Sequence, residues 1–477
     1  METQCTQRSF GFQQVGGREI VARFNGGRVT SDAGGMLLRE IEDRFHFVER
    51  FATCFTDHRD PECIEHSLVD LLKQRLFGLC LGYEDLNDHD WLRNDALLAA
   101  LVGKADPEGN DRRHLRDRGK ALAGKSTLNR LELTPVGADA GHRYKKIAAN
   151  VHAAHNFLVD AFLIQHTTPP KRIVLDLDAT DDLVHGHQLG RFFHGYYDGY
   201  CFLPLYIFCG DHPLLALLRP SNLDGATGAV KHLSRIVARI RQAWPDVQIV
   251  VRGDSGFCRE DLLHWCETNR VDFVIGLARN TRLQRILGKE LQEAKLLFEQ
   301  TGKASRVFKD FSYRTLQSWA HDRRVIGKAE HLEKGSNPRF VVTSLPAEEF
   351  AAQPLYEQEY CGRGNMENRI KEQQLCLFAD RTSCHTLRAN QLRLTFSTVA
   401  YVLLRALREF GLKGTALETA QADTIRLKLL KIGAVVRVTF RKVWVALSEA
   451  YPWQELFGQV YDRLTAWRIS PAVVASG

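Results

Sequence analysis

The chain has 477 residues, a hydrophobic fraction of 44%, a charged fraction of 25% and a formal net charge of +7. These values are ordinary for globular proteins, so they exclude a mostly disordered chain, and the length predicts two to four domains. No uncharged stretch reaches the roughly 20 residues that a membrane-spanning helix needs, so we expect a soluble protein. The 11 cysteines contain no Cys-x-x-Cys pair, which argues against a zinc site or a disulfide framework.

Residues 1–168 predict a mostly helical N-terminal region that opens with a small hairpin and includes an amphipathic helix over 61–81. Segment 111–130 holds seven basic residues against two acidic ones. We interpret it as a phosphate-contacting surface, with a solvated basic face as the alternative. Its candidate contacts are Arg113, Arg116, Lys125 and Arg130. The G-x-x-x-x-G-K-S match at 119–126 follows a polar, Arg-rich stretch instead of an apolar strand, so we exclude a P-loop.

Segment 171–182, KRIVLDLDATDD, predicts a buried strand that ends in four carboxylates, Asp176, Asp178, Asp181 and Asp182. Sites in α/β sheets usually lie at this end of a strand. Crowded like charges repel, so a divalent cation, hydrogen-bond donors or open solvent must offset them. A solvated junction between strand and loop is the alternative to a functional site.

The Pro169-Pro170 pair is the best predicted domain boundary, and 169–410 follows as a mixed α/β sheet domain. Within it, Asp254 comes directly after a strand, and about 281–345 predicts a β-rich insertion containing Trp319. A helix over 356–379 brings Arg363, Glu367 and Lys371 onto one face, although a salt-bridged solvent face has the same spacing. Residues 411–477 predict a basic, helical C-terminal region.

Three carboxylates, Asp178, Asp254 and Glu367, could converge in an RNase H-like sheet and hold two Mg²⁺ ions, since hard oxygen ligands suit that ion. A metal pair activates the attacking oxygen of a phosphodiester cleavage and stabilises the leaving one. Asp176 is a rival for the first ligand, because side chains two residues apart share a strand face.

The chain resembles the DDE transposases of bacterial insertion sequences, specifically the thirteen-eighty group, over nearly its whole length. The resemblance is carried by TSDAGG at 30–35, GYED at 82–85, ND at 87–88, the stretch 122–132, LDAT at 177–180, RGDSGF at 252–257 and the glutamate helix. Related cut-and-paste transposases carry Tyr-x2-Arg-x3-Glu-x6-Lys in that helix. Tyr360, Arg363 and Glu367 fit this signature, but Gln374 stands where the lysine belongs; Lys371 could supply the missing cation.

The resemblance implies an RNase H-like core with a β-rich insertion, flanked by helical segments for DNA binding and dimerisation. It implies nicking at terminal inverted repeats and strand transfer by the freed 3′-OH, with two Mg²⁺ (or Mn²⁺) ions held by Asp178, Asp254 and Glu367. Asp178 is favoured over Asp176 because the family's ligand lies two residues before the Thr. By analogy, Tyr360 and Arg363 grip the terminal phosphates and Trp319 stacks on a flipped base, with a packed aromatic as the alternative for Trp319.

The resemblance also implies double-stranded DNA as partner, a homodimer on two DNA ends, and a location in the bacterial cytoplasm at the nucleoid. Two other functions remain open on the sequence: an RNase H-like endonuclease or domesticated relative that cuts DNA without integration, and an inactive DNA-binding protein. The presence of all three acids argues against the last.

Overall fold

The computed structural model describes residues 8–469, without the side chains of residues 467 and 469, and divides the chain into two compact units. One unit combines residues up to 150 with residues from 399 onward, and the other comprises residues 151–398. The boundaries predicted from the sequence lie at 168 and 410.

A nine-stranded mixed sheet forms the centre of the 151–398 unit. Its strands are β1 Arg172–Ala179, β2 Leu205–Cys209, β3 His212–Leu217, β4 Gln248–Gly253, β5 Asp272–Leu277, β6 Ser305–Tyr313, β7 Arg323–Leu332, β8 Gly335–Ser336 and β9 Arg339–Thr343. They lie in the order β3-β2-β1-β4-β5-β9-β7-β6, and β8 pairs with β7. The predicted mixed α/β sheet is therefore confirmed.

Strands β1, β4 and β5 are parallel to one another, whereas β2 is antiparallel to both β1 and β3. Because β1 and β4 are parallel neighbours, their carboxyl ends meet at the same edge of the sheet. Asp178 is the second-last residue of β1, and Asp254 follows the last residue of β4. The fold therefore brings these two carboxylates to one edge.

The segment predicted as a β-rich insertion begins with two helices, Thr281–Ile286 and Gly288–Thr301, before its strands. Strand β9 pairs antiparallel with β5, and β7 pairs antiparallel with β9 and β6. The strands of this segment thus widen the sheet that carries the candidate carboxylates.

Helices cover the sheet through apolar stripes. On the Ala229–Ala243 helix, Leu233, Ile236, Val237 and Ile240 follow the i, i+3, i+4, i+7 spacing, and each is at most 3% exposed. Burying such a side chain contributes about 1.5–3 kcal/mol, so this face fixes the helix against the strands. Besides Thr281–Ile286 and Gly288–Thr301, the other helices of the unit are Val151–Leu163, Glu260–Thr268, Ala352–Pro354, Gly364–Leu377 and the first part of Leu387–Leu407.

The helix predicted over 356–379 is interrupted. A π-helical turn covers Leu355–Tyr360 and a 3-10 turn covers Cys361–Arg363, before the regular helix Gly364–Leu377. A Cβ atom on Gly362 would lie 2.7 Å from Arg252 Nη1, so a larger residue here would displace the Arg252 guanidinium. The interruption presents Tyr360 and Arg363 just before the helix that carries Glu367.

The unit formed by residues up to 150 and from 399 onward is mainly helical, with small sheets. Its helices are Gly35–Phe45, Phe47–Ala52, Leu68–Leu81, His89–Leu92, Ala96–Val102, Lys125–Glu132, Ala422–Ile425 and Gln454–Thr465. Its strands are Phe10–Val15 with Arg18–Ala22, Arg28–Thr30 with Ala434–Val438 and Val443–Leu447, and Phe55–Asp57 with Ile147–Ala149. The predicted helix over 61–81 begins later, because Ser67 and Asp70 form a capping box at its start. Over residues 8–469, no helix combines the length and apolar character needed to cross a membrane.

Candidate active site

Three carboxylates that are distant in sequence come from three different elements. Asp178 lies on β1, Asp254 follows β4, and Glu367 lies in the first turn of the Gly364–Leu377 helix. The Asp254 Oδ1 atom accepts a hydrogen bond from Gly256 N at 2.8 Å, which starts the turn Ser255–Phe257 and fixes the orientation of the carboxylate.

Arg363 connects two of these carboxylates. Its Nη2 atom lies 2.9 Å from Glu367 Oε1, and its Nη1 atom lies 3.7 Å from Asp178 Oδ1. The Arg363 side chain is 20% exposed and that of Asp178 15% exposed, so the contact is largely removed from solvent. The i, i+4 pair of Arg363 and Glu367 therefore adjoins Asp178 at the sheet edge, with the Glu367 side chain 44% exposed.

The electrostatics of Asp178 link all three acids. The pKa of Asp178 is raised from its ordinary 3.8 to about 6: burial is the main cause, Arg363 opposes the rise, and the charges of Asp254 and Glu367 add to it. Like charges raise a carboxyl pKa only when they lie close to it. Asp178, Asp254 and Glu367 therefore form one acidic centre around the Arg363 guanidinium.

The donor set of this centre fits hard divalent cations, which prefer carboxylate oxygens. The raised pKa of Asp178 means that its charged form is disfavoured, and a bound cation would stabilise that charged form. Within residues 8–469, no three His, Cys, Asp or Glu side chains have the spacing needed to ligate one ion together. As described, the three acids of the centre therefore do not form a closed three-ligand site.

Tyr360 lies beside the same centre. A Cβ atom on Gly276 of β5 would lie 2.6 Å from Tyr360 Oη and 2.9 Å from Ser255 N, so the phenol lies over a strand that has no side chain at this point. Burial raises the pKa of Tyr360, and the charge of Asp254 adds to the rise while Arg363 opposes it. Of the two residues predicted from the sequence, Arg363 therefore contacts the acidic centre and Tyr360 lies beside it.

A cavity of about 500 Å³ opens next to Tyr360. Its lining includes Ser255, Tyr356, Tyr360 and two exposed arginines, Arg279 and Arg339. The combination of guanidinium groups and phenols suits an anionic, ring-containing ligand. Sequence reasoning missed both arginines, although Arg279 follows the end of β5 and Arg339 begins β9.

Asp176, the rival for the first ligand, has a partner of its own. It is 3% exposed and lies opposite Arg252 in the pairing of β1 and β4. Arg252 Nη2 donates to Asp176 Oδ2 at 2.7 Å, and Arg252 also donates to the Glu359 carbonyl. Asp176 is therefore neutralised by Arg252, and the same arginine holds the backbone at Glu359, just before Tyr360. Asp178 is the better candidate for the first metal ligand.

Gln374, which stands where the transposase signature has a lysine, and Lys371, which could replace that lysine, lie in different surroundings. Lys371 is exposed, one helical turn beyond Glu367. The side-chain amide of Gln374 donates to the Asp181 carbonyl at 3.1 Å and so supports the chain three residues after Asp178.

Trp319 lies in the core of the sheet unit. It is 4% exposed, and its ring packs edge to face on Tyr313 with 5.8 Å between ring centres. The guanidinium of Arg323 lies 5.3 Å from the ring centre. A base needs an exposed ring face for stacking, so the packed-aromatic alternative describes Trp319 in this structure.

The predicted basic surface belongs to the other unit. Arg113 and Arg130 are exposed, and the Arg116 side chain is 83% exposed. Lys125 begins the Lys125–Glu132 helix and pairs with Asp90 at 3.3 Å. The structure has no strand in 111–124, in agreement with the exclusion of a P-loop.

Comparison with known proteins identifies the family. None of the curated proteins compared with the chain matches it. The family model described as transposase DDE domain, group 1, matches residues 12–469, which is nearly the whole chain and includes every residue of the acidic centre. On this match, the chain belongs to the family of group 1 transposase DDE domains.

Proposed function

We propose that this transposase binds the terminal inverted repeats of an insertion sequence, cleaves phosphodiester bonds there, and joins the freed 3′-OH ends to target DNA. The observation that carries the proposal is the acidic centre, in which Arg363 contacts Asp178 and Glu367 while the charge of Asp254 reaches Asp178. Carboxylates that meet in this way from three separate elements serve phosphoryl-transfer chemistry better than they serve stability.

An RNase H-like core is the fold we propose for this unit. The order β3-β2-β1-β4-β5 supports it, with β2 antiparallel to both of its neighbours and β1, β4 and β5 parallel. The first two carboxylates lie at the carboxyl ends of the parallel neighbours β1 and β4, where open α/β sheets bind their ligands.

Asp178, Asp254 and Glu367 would together hold two Mg²⁺ or Mn²⁺ ions. When bound, such ions activate the attacking oxygen and stabilise the leaving oxygen of an in-line displacement. The protein contributes the fixed carboxylates: Gly256 N orients Asp254, and Arg363 holds Glu367.

Tyr360 and the nearby basic side chains would bind phosphate groups beside this centre. The Tyr360 hydroxyl, whose pKa burial raises above the ordinary 10, is protonated at neutral pH and can donate to a phosphate oxygen. The guanidinium fork of Arg363 matches two phosphate oxygens. Arg279 and Arg339 line the adjoining cavity and extend the cationic surface, and exposed Lys371 adds a charge one turn beyond Glu367.

Sequence-independent DNA contact in the other unit is proposed for Arg113, Arg116, Lys125 and Arg130, whose charges suit the DNA backbone. We further propose a homodimer on DNA, with one protomer for each terminal repeat, because two ends must be cut and joined together.

The test is cleavage of end-labelled duplexes taken from the DNA that flanks the coding sequence, in the presence of Mg²⁺. We expect Asp254→Asn to lose cleavage and strand transfer, because removing one ligand disrupts the metal pair. Asp246→Asn is the matched control, because Asp246 is exposed and lies just before β4, at its opposite end. Retained cleavage by Asp254→Asn would refute the assignment, and cleavage without joining by the wild type would indicate the endonuclease alternative.

A further inference from the structure

Residues 191–202, RFFHGYYDGYCF, form a hairpin that we call the aromatic hairpin; six of its twelve residues are Phe or Tyr. Its strands Phe192–His194 and Gly199–Phe202 pair antiparallel, and Phe193 lies directly opposite Tyr200. The second strand also pairs with Asp182–Leu183, so the hairpin belongs to a small three-stranded sheet.

The residues of the aromatic hairpin differ sharply in exposure. Cys201 and Phe202 are fully buried, and the Ser221 hydroxyl donates to the Phe192 carbonyl at 2.9 Å. In contrast, Tyr196 is 85% and Phe193 55% exposed. The hairpin is therefore anchored at Cys201, Phe202 and the Phe192 backbone, while the rings of Phe192, Phe193, Tyr196 and Tyr200 are 42–85% exposed. Exposed aromatic groups on an anchored scaffold mark an interaction surface.

The chemistry of the exposed rings suits nucleotide bases. The Arg191 guanidinium lies 4.3 Å from the centre of the Tyr200 ring. The Phe193 ring meets Tyr200 at 5.7 Å with an interplanar angle of 74°. Rings combined with an arginine are the usual composition of surfaces on which unpaired bases stack, because every base has a π face and the cation attracts the backbone.

The hairpin lies beside the acidic centre. The Tyr197 hydroxyl donates to the Ala179 carbonyl at 3.3 Å, and Ala179 is the residue after Asp178. Burial raises the pKa of Tyr197 to about 12, and the charges of Asp181 and Asp178 add to the rise, as expected for close neighbours. A DNA strand that leaves the acidic centre on this side would reach the exposed rings.

We propose that the aromatic hairpin is a stacking platform for unpaired nucleotides at the DNA end on which the acidic centre acts. This inference rests on the proposed function, which supplies the DNA end, but it concerns a surface that the cleavage chemistry does not require. Duplex DNA hides its bases within the stack, so the platform discriminates in favour of single-stranded tails.

The test measures binding of the full chain in EDTA, where no cleavage occurs, to a blunt duplex and to the same duplex with a single-stranded oligothymidine tail. We expect the tail to tighten binding by about tenfold or more, the usual effect of base stacking on aromatic side chains. Phe193→Ala with Tyr196→Ala should remove this gain and leave the affinity for the blunt duplex unchanged. A 2-aminopurine in the tail should be quenched by the wild type and not by the variant.

Two controls separate stacking from structural effects. Tyr196→Trp keeps a ring and should keep the gain. Tyr461→Ala removes a tyrosine that is 47% exposed on the Gln454–Thr465 helix, and it should also leave the gain intact. If the double variant folds poorly, Tyr196→Ala alone, at an 85% exposed position, should still lower the gain severalfold.

The outcomes distinguish this inference from the proposed function. A wild type that binds the blunt duplex without any gain from the tail would overturn the platform and leave the proposed function standing. Failure to bind either DNA would overturn both. If the double variant keeps the gain but loses self-association in analytical ultracentrifugation, the surface contacts a second copy of the chain and the platform is refuted.

Discussion

The Arg363 Nη2 atom lies 2.9 Å from Glu367 Oε1, and the same guanidinium reaches Asp178 Oδ1 at 3.7 Å. One side chain thus supplies the positive charge between two carboxylates that would otherwise repel each other. The turn Cys361–Arg363 directs the guanidinium toward the sheet edge before the helix begins at Gly364. Arg363 is therefore placed both to organise the acids and to meet a phosphate.

Removing the Arg363 charge should change the pH dependence of cleavage. Because Arg363 opposes the rise in the Asp178 pKa, Arg363→Ala should move the acid limb of the pH–rate profile to higher pH and lower the rate by about a hundredfold. Arg363→Lys keeps the charge without the fork, so it should retain the acid limb and recover only part of the rate. Superimposable profiles for the Ala variant and the wild type would contradict this role.

Neutralising Asp178 should stabilise the protein while it abolishes cleavage. The pKa of Asp178 is about 6 in the folded protein and ordinarily 3.8, so the folded state binds the proton more tightly and loses stability as pH rises between these values. Above about pH 6, Asp178→Asn should therefore unfold at a higher urea concentration than the wild type. Its free energy of unfolding should be larger by at most about 3 kcal/mol. The difference should vanish below about pH 4.

This stability measurement is made in EDTA, because a bound cation would stabilise the wild type alone. Asp246→Asn, at an exposed position before β4, serves as the control and should not shift the midpoint. An Asp178→Asn variant that is less stable than the wild type at both pH values would show that the carboxylate contributes to folding instead of opposing it.

The strands that carry the first two acids could be predicted because short apolar runs that end in acidic residues are local features. The strand pattern alone does not decide whether Asp176 or Asp178 is the first metal ligand, because both side chains lie on the same face of β1. It depends on the register that places Arg252 opposite Asp176. That register joins residues 76 apart in sequence, and no local periodicity encodes it.

The interruption of the helix over 356–379 has a similar cause. Gly362 must come close to Arg252, and Arg252 donates to the Glu359 carbonyl across a separation of 107 residues. A single-sequence pattern favoured a continuous helix because it records only neighbours along the chain. The pairing of β9 with β5 is likewise non-local, so the extension of the sheet by the insertion could not be predicted.

The position of Tyr360 over Gly276 predicts a steric effect on activity. A methyl group at Gly276 would lie 2.6 Å from Tyr360 Oη and 3.2 Å from the Asp254 carbonyl carbon, so the phenol or the backbone must move. We expect Gly276→Ala to lower cleavage by about a hundredfold, because small displacements of positioned groups are costly for catalysis. Gly288→Ala, with no atom within 4 Å of the added Cβ, is the control. Equal activities of the two variants would refute the contact.

The basic surface of the other unit predicts a change in salt dependence. Arg113→Ala with Arg116→Ala should flatten the slope of log affinity against log salt for duplex DNA by about two, roughly 0.9 for each lost phosphate contact. Lys295→Ala with Lys303→Ala removes two equally charged, exposed residues and should leave the slope unchanged. Anisotropy titrations at several salt concentrations measure both. An unaltered slope in the arginine variant would remove these residues from the interface.

The ion pair of Arg252 with Asp176 predicts a loss of stability that its partner can reverse. Asp176 is 3% exposed, and burial raises its pKa even beside Arg252, so Arg252→Ala leaves a buried carboxyl without its counter-charge. We expect a loss of about 3–5 kcal/mol in urea unfolding. Arg252→Met combined with Asp176→Leu replaces both charges by apolar groups and should recover most of that loss. If the double variant is instead as unstable as the sum of the single changes, the two residues act independently and Arg252 contributes mainly through the Glu359 carbonyl.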